Sequence, residues 1–417
     1  MTDALDVYLD GRLTGQLTRT VNGEVGFDYA DSAGITPLSA SMPIRTSHHA
    51  PDVVMPWLDN LLPDNDDVRH RWATSFGERR ATPFNLLKHM GADCAGAVQV
   101  MPPGVVPDQG GGLIPLSETD IAAHIRTLRA DAAAWDFPEH GGRWSLGGQQ
   151  GKFALARTPL GWALPSGRTA STHIVKVGIA GVPESDVAEF VTMRAAALLG
   201  LPVPPVEYAH FDDQTGLLTT RFDRLTRDSH VRRLHQEDLC QALGLWRTMK
   251  YQADGGPAAS VIVAFLERIL DPRGVRRGVR DFARAQVFNW VVAGTDAHAK
   301  NYAILYPSRQ VILAPFYDLV STALLWPPTQ VHFEGRLAMK FGGEYRLRKV
   351  DMGRCHHAAK DLGVPADLLI DTARIYQAQL PDAVATALSE LPESVSLSTR
   401  ARMQDAIAER VEQIRPA

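Results

Sequence analysis

The sequence predicts an α+β fold in which a β-rich first half precedes a largely helical second half. Three observations support this prediction. Alternating apolar residues with Asp-Gly and Asn-Gly turns open the chain, strand-like runs recur up to Phe222, and helical apolar patterns dominate from Glu237 onward. The 417 residues, 45% of them hydrophobic, are enough for two or three packed domains.

Composition excludes several classes of protein. A formal net charge of −4 argues against a broad nucleic-acid-binding field. The three cysteines, Cys94, Cys240 and Cys355, are far apart and odd in number, which predicts free thiols in a reducing compartment. The sequence has no evident N-terminal signal segment, and its apolar runs are interrupted well short of a membrane span. We therefore expect a cytoplasmic protein with no membrane partner.

Residues 1–104 are predicted to form a small mixed subdomain. Alternating residues 5–9 and 13–17 pair as strands across Asp10-Gly11. Helical patterns follow at 53–62 and 66–76 and after the cap Thr82-Pro83, and a strand covers 95–101. No catalytic motif occurs in this stretch of sequence, so a packing or partner-binding module is the preferred interpretation.

Residues 105–222 are predicted to form a β-rich lobe that contains a glycine-rich loop. After a Pro- and Gly-rich linker at 102–112 and a helix from Ser117, the chain reads Ser145-Leu146-Gly147-Gly148-Gln149-Gln150-Gly151-Lys152, then a strand at 153–157. Backbone amides of such a loop can close around phosphates. The glycine spacing and Phe153 exclude a Walker A loop, and a simple hairpin turn is the alternative.

Lys176 lies on the next predicted strand, at 173–177, and Glu189 on the helix after it, at 186–199. A strand lysine followed by a helix glutamate is the ion-pair order of a protein kinase. A solvated helix face is the alternative for Glu189. A hairpin at 206–222 then leads into the helical half, as the adenine-binding hinge of a kinase does.

Residues 223–417 are predicted to form a helical lobe that carries the most informative stretch, 288–322. An apolar helix breaks at Gly294-Thr295, and Asp296 precedes Asn301 with four residues between them. Two short strands then lead to Asp318 in an aromatic-Asp-Leu setting. This is the order of the kinase catalytic base and its two magnesium ligands. Ordinary helix caps and turns are the alternative.

The sequence thus predicts a two-lobed, protein-kinase-like fold. Predicted helices cover 237–243, 258–269, 282–292, 352–362, 366–380 and 399–415.

Together these motifs resemble the HipA family of serine/threonine kinases, the toxin half of bacterial type II toxin–antitoxin modules. The resemblance extends over nearly the whole chain. In the first subdomain it rests on residues 7–11, 38–39, 42–43, 60–63 and 91–99. In the kinase part it rests on the Ser145 loop and on residues 173–176, 221–224, 295–301 and 317–319.

The resemblance implies roles for individual residues. Asp296 is expected to be the catalytic base, and Asn301 and Asp318 to bind Mg2+. Ser145 matches the serine that such kinases autophosphorylate, and Glu189 is a possible ion-pair partner of Lys176. The expected ATP-binding residues are Ser145, Gly147, Gly148, Gln150, Lys152, Lys176, Thr220, Phe222, His298 and Tyr317.

The sequence departs from the family pattern in two places. Gln149 and Gly151 replace an alanine and a longer residue of the usual loop, and Thr220 stands where relatives often have glutamate. The extra glycine loosens the loop, which bears on how it closes around phosphate. Adenine needs only the backbone of Thr220, so that change matters less.

The resemblance also implies a cellular role. The expected protein is an ATP- and Mg2+-dependent kinase toxin that phosphorylates a translation component, with an aminoacyl-tRNA synthetase as the candidate. A helix-turn-helix antitoxin resembling HipB would neutralise it, and the two would co-repress their operon, with operator DNA bound mainly through the antitoxin. Two alternatives stay open: a small-molecule phosphotransferase, and a catalytically silent co-repressor subunit.

Overall fold

The computed structural model of the chain describes residues 3–107, 111–137, 144–167, 169–227 and 230–415. The chain divides into two compact units. The first comprises Met1–Ala180, Ala209–Arg247 and Ile304–Val311, and the second comprises Gly181–Tyr208, Thr248–Ala303 and Ile312–Ala417.

Strands are concentrated in the first half of the chain, as the alternating apolar patterns predict. In order they are β1 (Asp3–Leu9), β2 (Arg12–Arg19), β3 (Val25–Tyr29), β4 (His48–His49), β5 (Val98–Met101), β6 (Gly111–Leu116), β7 (Lys152–Thr158), β8 (Gly161–Gly167), β9 (His173–Lys176), β10 (Val206–Phe211), β11 (Gln214–Thr220), β12 (Arg224–Arg227), β13 (His230–Arg233), β14 (His235–Asp238), β15 (Ala303–Tyr306), β16 (Ile312–Leu313), β17 (Arg336–Phe341) and β18 (Glu344–Arg346).

Helices predominate in the second half. In order they are α1 (Pro51–Asn60), α2 (Asp66–Ser75), α3 (Pro83–Met90), α4 (Glu118–Ala130), α5 (Ser185–Leu198), α6 (Leu239–Ala242), α7 (Ala259–Ile269), α8 (Val275–Val292), α9 (Pro328–Glu334), α10 (Arg354–Leu362), α11 (Ala366–Ser389) and α12 (Leu397–Glu412). None of these helices is long and apolar enough to cross a membrane.

The two largest sheets lie mainly in the first unit. One has the order β4-β3-β2-β1-β5 and packs its apolar face against α1 to α3, with Phe27, Trp57 and Trp72 among its fully buried side chains. The other has the order β10-β11-β9-β7-β8-β6. Because β6 already begins at Gly111, the predicted linker at 102–112 ends slightly earlier than expected.

The predicted helix at 237–243 is wrong in its first residues. Strand β14 covers His235–Asp238, and α6 is a single turn capped by the side chain of Asp238. Glu237 lies in this strand and is completely buried.

Two hairpins in the predicted helical half were also missed, β12–β13 in the first unit and β17–β18 in the second. The second of these turns at Gly342 and Gly343, which have φ of 55° and 86°. A conformation with φ above zero at consecutive positions favours glycine strongly. Helix α11 instead runs past the predicted end at Leu380 and includes Pro381.

The three cysteines, Cys94, Cys240 and Cys355, are buried free thiols, as their spacing predicts. Burial raises the pKa of the Cys94 thiol to about 12, so this group is neutral and unreactive at physiological pH.

Candidate active site

The predicted break in the helix before Asp296 is present. Helix α8 ends at Val292, and Ala293 adopts the left-handed conformation with φ of 60°. A Cβ atom on Gly294 would lie 2.7 Å from Oδ1 of Asn289, so only glycine fits there without a shift. The chain therefore leaves the helix abruptly, and Asp296 is exposed in the loop that follows.

The loop from Asp296 to Asn301 is held together by its own hydrogen bonds. The side-chain amide of Asn301 and the backbone N–H of His298 each donate to the carbonyl of Asp296, both at 2.8 Å. The NH2 group of Asn301 is engaged inside the loop. The side-chain oxygen of Asn301 is therefore the atom that can coordinate a metal ion.

Tyr251 orients the carboxylate of Asp296. Its hydroxyl donates to Oδ1 of Asp296, and its ring packs edge-on against His298 with 4.9 Å between ring centres. No sequence motif singled out this tyrosine, because it precedes Asp296 by 45 residues.

The loop that carries Asp318 is hydrogen-bonded to the loop from Asp296 to Asn301. The hydroxyl of Tyr317 donates to the carbonyl of Lys300 at 2.7 Å, and the backbone N–H of Thr322 donates to the carbonyl of Ala293 at 3.0 Å. Asp318 itself has φ of 58°, an uncommon conformation for a residue other than glycine. The structure thus ties the Asp318 loop to both ends of the segment that contains Asp296 and Asn301.

The side chains of Asn301 and Asp318 suit magnesium. An amide and a carboxylate oxygen are hard donors, and Mg2+ is commonly held by one or two carboxylates together with substrate phosphates. Within the described ranges, no group of three or more His, Cys, Asp or Glu side chains could hold a metal ion by itself. A dedicated zinc-type site is therefore not found there, whereas a site completed by a nucleotide fits these residues.

In the first unit, Lys152 and Lys176 lie directly opposite each other on β7 and β9. Their exposed fractions are only 4% and 6%. The Lys152 ammonium donates to the carbonyl of Gly147 at 2.9 Å and lies 5.4 Å from the ring centre of Trp135. The pairing places two positively charged side chains on the same face of the sheet, as a site for phosphate groups requires.

The glycine-rich loop packs inward in this structure. Ser145 is fully buried, and its hydroxyl donates to the carbonyl of Leu61 at 2.7 Å. The carbonyl of Gly148 accepts from the backbone N–H of Asp64 at 2.8 Å. Gly148 has φ of 100°, and a Cβ atom there would lie 2.7 Å from Nζ of Lys152. Gln150 donates to the carbonyl of Val177 at 2.8 Å, which anchors the end of the loop.

The remaining predicted residues occupy varied positions. Thr220 is the last residue of β11 and pairs with His173. Phe222, two residues further along the chain, is partly buried. Glu189 is only 2% exposed on α5, so the solvated-face alternative is wrong for it. Lys176 belongs to the first unit and Glu189 to the second, and their ion pair stays a prediction.

A buried ion network occupies the segment that the sequence suggested as a hinge. Asp223 accepts from Arg221 at 2.7 Å, and Asp93 accepts from Arg224 at 2.9 Å and from Arg233 at 3.0 Å. Burial alone would raise the pKa of Asp93, but the three arginines hold it well below its usual range. The sequence feature that indicates this network is the run Arg221-Phe222-Asp223-Arg224. Charged residues so close together next to a buried strand must form ion pairs with one another.

Family models match two parts of the chain. The HipA N-terminal domain matches residues 5–101, and the HipA-like C-terminal domain matches residues 144–394. The chain belongs to the HipA family. The resemblance found in the sequence motifs is thereby confirmed.

Similar proteins cover almost the same length. "Putative kinase Y4mE" of Sinorhizobium fredii is 34% identical over 402 residues, which is 94% of this chain and 92% of the relative. "Serine/threonine-protein kinase toxin HipA" of Shewanella oneidensis is 28% identical over 372 residues, covering 85% and 82% of the two chains. The enzyme class, a serine/threonine-protein kinase of a toxin family, is confirmed at this level.

A solved structure extends the comparison to the fold. HipA of Shewanella oneidensis MR-1, determined with HipB and its operator DNA, has a TM-score of 0.81 and 26% sequence identity to this chain. The match covers 98% of this chain and 97% of that one. The predicted α+β, kinase-like fold with an N-terminal subdomain is confirmed.

Proposed function

We propose that this HipA-family chain transfers the γ-phosphoryl group of ATP to a serine or threonine hydroxyl of a translation component and thereby arrests growth. An aminoacyl-tRNA synthetase is the candidate target that the family resemblance supplies. The observation that supports the proposal best is the loop in which Tyr251 orients the carboxylate of Asp296 and Asn301 fixes its backbone.

In this proposal Asp296 accepts the proton of the acceptor hydroxyl as its oxygen attacks the γ-phosphorus and ADP leaves. Lys152 and Lys176 contact the phosphates, together with the backbone of Gly147 and Gly148. Asn301 and Asp318 hold Mg2+, which when bound neutralises charge that develops on the phosphates. The backbone of Thr220 and Phe222 meets adenine, and His298 and Tyr317 lie near the nucleotide.

Autophosphorylation of Ser145 would silence the enzyme. The Ser145 hydroxyl is buried and donates to Leu61, so this loop must leave its present position before it can be modified. A phosphate carries about two negative charges at neutral pH and three acceptor oxygens, and it cannot return to a site that offers a carbonyl acceptor. The modified loop would stay out, away from the phosphate-binding lysines. Intact-mass analysis after incubation with ATP tests this step, and a Ser145 that gains no phosphate rejects it.

Neutralisation and co-repression are proposed by analogy with the solved relative. HipA of Shewanella oneidensis was crystallised with HipB and operator DNA. We expect this chain to bind a comparable helix-turn-helix antitoxin and to reach DNA mainly through it, in keeping with a formal net charge of −4.

The test is transfer of label from γ-labelled ATP in a dephosphorylated cell lysate. A protein kinase leaves a labelled protein band, whereas a small-molecule phosphotransferase leaves label only in the small-molecule fraction. Nucleotide binding without any transfer would favour the catalytically silent co-repressor instead. The proposal predicts a labelled band that requires magnesium, and its absence would reject the proposal.

A further inference from the structure

A pocket of about 290 Å3 lies in the second unit next to Asp296. Its walls include Tyr251, which donates to Asp296, and Thr295, which precedes Asp296 in the chain. Further lining residues come from the hairpin of β17 and β18, among them Arg336 and Tyr345. A peptide whose hydroxyl reached Asp296 would place a neighbouring side chain at this pocket.

The hairpin wall is positively charged. The guanidinium of Arg336 lies 5.2 Å from the ring centre of Tyr345, and Nζ of Lys340 lies 5.3 Å from the same ring. Both cations are exposed, and neither has a carboxylate partner in the part of the chain that the structure describes. A guanidinium held against an aromatic ring has lost part of its conformational freedom, which favours binding of a planar carboxylate.

One acidic residue also lines the pocket. Asp254 is exposed, and it would favour a basic substrate side chain. The carboxylate of Asp296 also lies beside the pocket, but Tyr251 already donates to it. The guanidinium of Arg336 is held against Tyr345 and lines the pocket, so it is the group that pairs with an acidic guest.

We propose that this pocket is an acceptor-side subsite that takes an aspartate or glutamate lying within about three residues of the phosphorylated serine or threonine, with Arg336 as its charge partner. The inference rests on the proposed kinase function, because it assigns a substrate preference to that same site. Tyr345 holds the guanidinium, and the rings of Tyr251 and Tyr345 supply the apolar walls against which the side chain packs.

The test begins with the phosphorylated site itself. Full-length protein, γ-labelled ATP and a dephosphorylated lysate give the target, and mass spectrometry locates the modified residue. We expect an acidic residue within three positions of it. Arg336→Glu should lower kcat/KM for this target about tenfold, and replacing the acidic neighbour of the target by lysine should restore most of the loss.

Arg374→Glu is the matched control. Arg374 is 71% exposed on α11 and lies outside the pocket, and the substitution makes the same change in net charge. We expect its kcat/KM to stay within about twofold of the unaltered protein.

The outcomes separate the two proposals. A labelled target without an acidic neighbour, an Arg336→Glu variant that behaves like Arg374→Glu, or a basic preference set by Asp254 each overturns the subsite while the kinase function stands. A lysate in which no protein is labelled rejects the kinase function, and the subsite with it.

Discussion

Tyr251 lies outside the predicted motif and contacts the proposed catalytic base directly. Its hydroxyl donates to the carboxylate of Asp296, and its ring contacts His298. A general base is effective only when it is held within hydrogen-bonding distance of the proton that it accepts. Orientation of the base by a neighbouring hydroxyl therefore raises the rate of the chemical step. Tyr251 is therefore a positioning residue in this account.

Tyr251→Phe removes this hydroxyl and little else. We expect kcat to fall by about 3- to 30-fold, with little change in the KM for ATP, because the ring still packs and the nucleotide contacts are untouched. Steady-state kinetics measure both constants. Tyr208→Phe is the matched control, since Tyr208 donates to Asp186 at 3.0 Å, away from the catalytic loop. Equal kcat values for the two variants would show that Tyr251 does not position the base.

Glu237 is a completely buried carboxyl in the first unit. It accepts from the hydroxyl of Ser39 at 2.5 Å, the backbone N–H of Ala40 at 2.8 Å and the hydroxyl of Tyr306 at 2.6 Å. Burial raises the pKa of Glu237 to about 7, although these three donors oppose the shift. The folded protein therefore holds this proton more tightly than the unfolded chain does.

The consequence is a pH dependence of stability. The contribution of Glu237 is fully present below its unfolded pKa of about 4.5 and is lost as pH rises to about 7. Between pH 5 and pH 8 the unaltered protein should lose at most about 3 kcal/mol of unfolding free energy through this group. Glu237→Gln should flatten the decrease, and Glu24→Gln, at an exposed position, should not. Urea unfolding at both pH values provides the measurement, and parallel curves for all three proteins would contradict the prediction.

Among the secondary-structure elements, the segment after α3 is connected to the strands of the kinase part by buried charged side chains. Asp93 accepts from Ser171 as well as from Arg224 and Arg233, and Asp223 accepts from the backbone N–H of Gly96 at 2.7 Å. Removing one member of a buried ion network leaves the others charged without compensation, which costs more than the network contributes in net stability. The N-terminal subdomain and the adjoining strands should therefore unfold together.

Asp93→Asn tests this coupling. We expect a loss of about 3–5 kcal/mol of unfolding free energy, because Asp223 is then the one charged member of the two carboxylates that face the three buried guanidinium groups. Asp213→Asn breaks an exposed pair with Arg126, in which Asp213 is 62% exposed, and should cost less than about 1 kcal/mol. Chemical denaturation gives both values. A loss for Asp93→Asn no larger than that for Asp213→Asn would mean that the network contributes little.

Across the whole molecule, the sequence predicted well those features that depend on residues close together in the chain. Asp296 and Asn301 lie in one short loop, and Gly294, just after the end of α8, lies so close to Asn289 that a Cβ atom there would force a shift. A short apolar run predicted the strand that carries Lys176, which is β9 in the structure. Such features follow from spacing, periodicity and backbone conformation.

What the sequence did not predict depends on distant residues. Tyr251 and Asp296 are 45 positions apart, and Arg224 and Asp93 are 131 apart. The β17–β18 hairpin, which forms one wall of the acceptor-side pocket, was missed although it turns at two consecutive glycines. The spacing of residues in a sequence carries no information about which distant side chains meet. These contacts are therefore visible in the structure and not in the sequence.

The central claim is that Asp296 carries phosphoryl transfer and, through it, growth arrest. The measurement is to express the unaltered chain, Asp296→Asn and the exposed control Asp405→Asn without an antitoxin, and to follow growth together with transfer of labelled phosphate. We predict arrest and labelling for the unaltered chain and the control. For Asp296→Asn we predict continued growth and labelling at least about 100-fold lower. Equal arrest and equal labelling in all three would contradict the account.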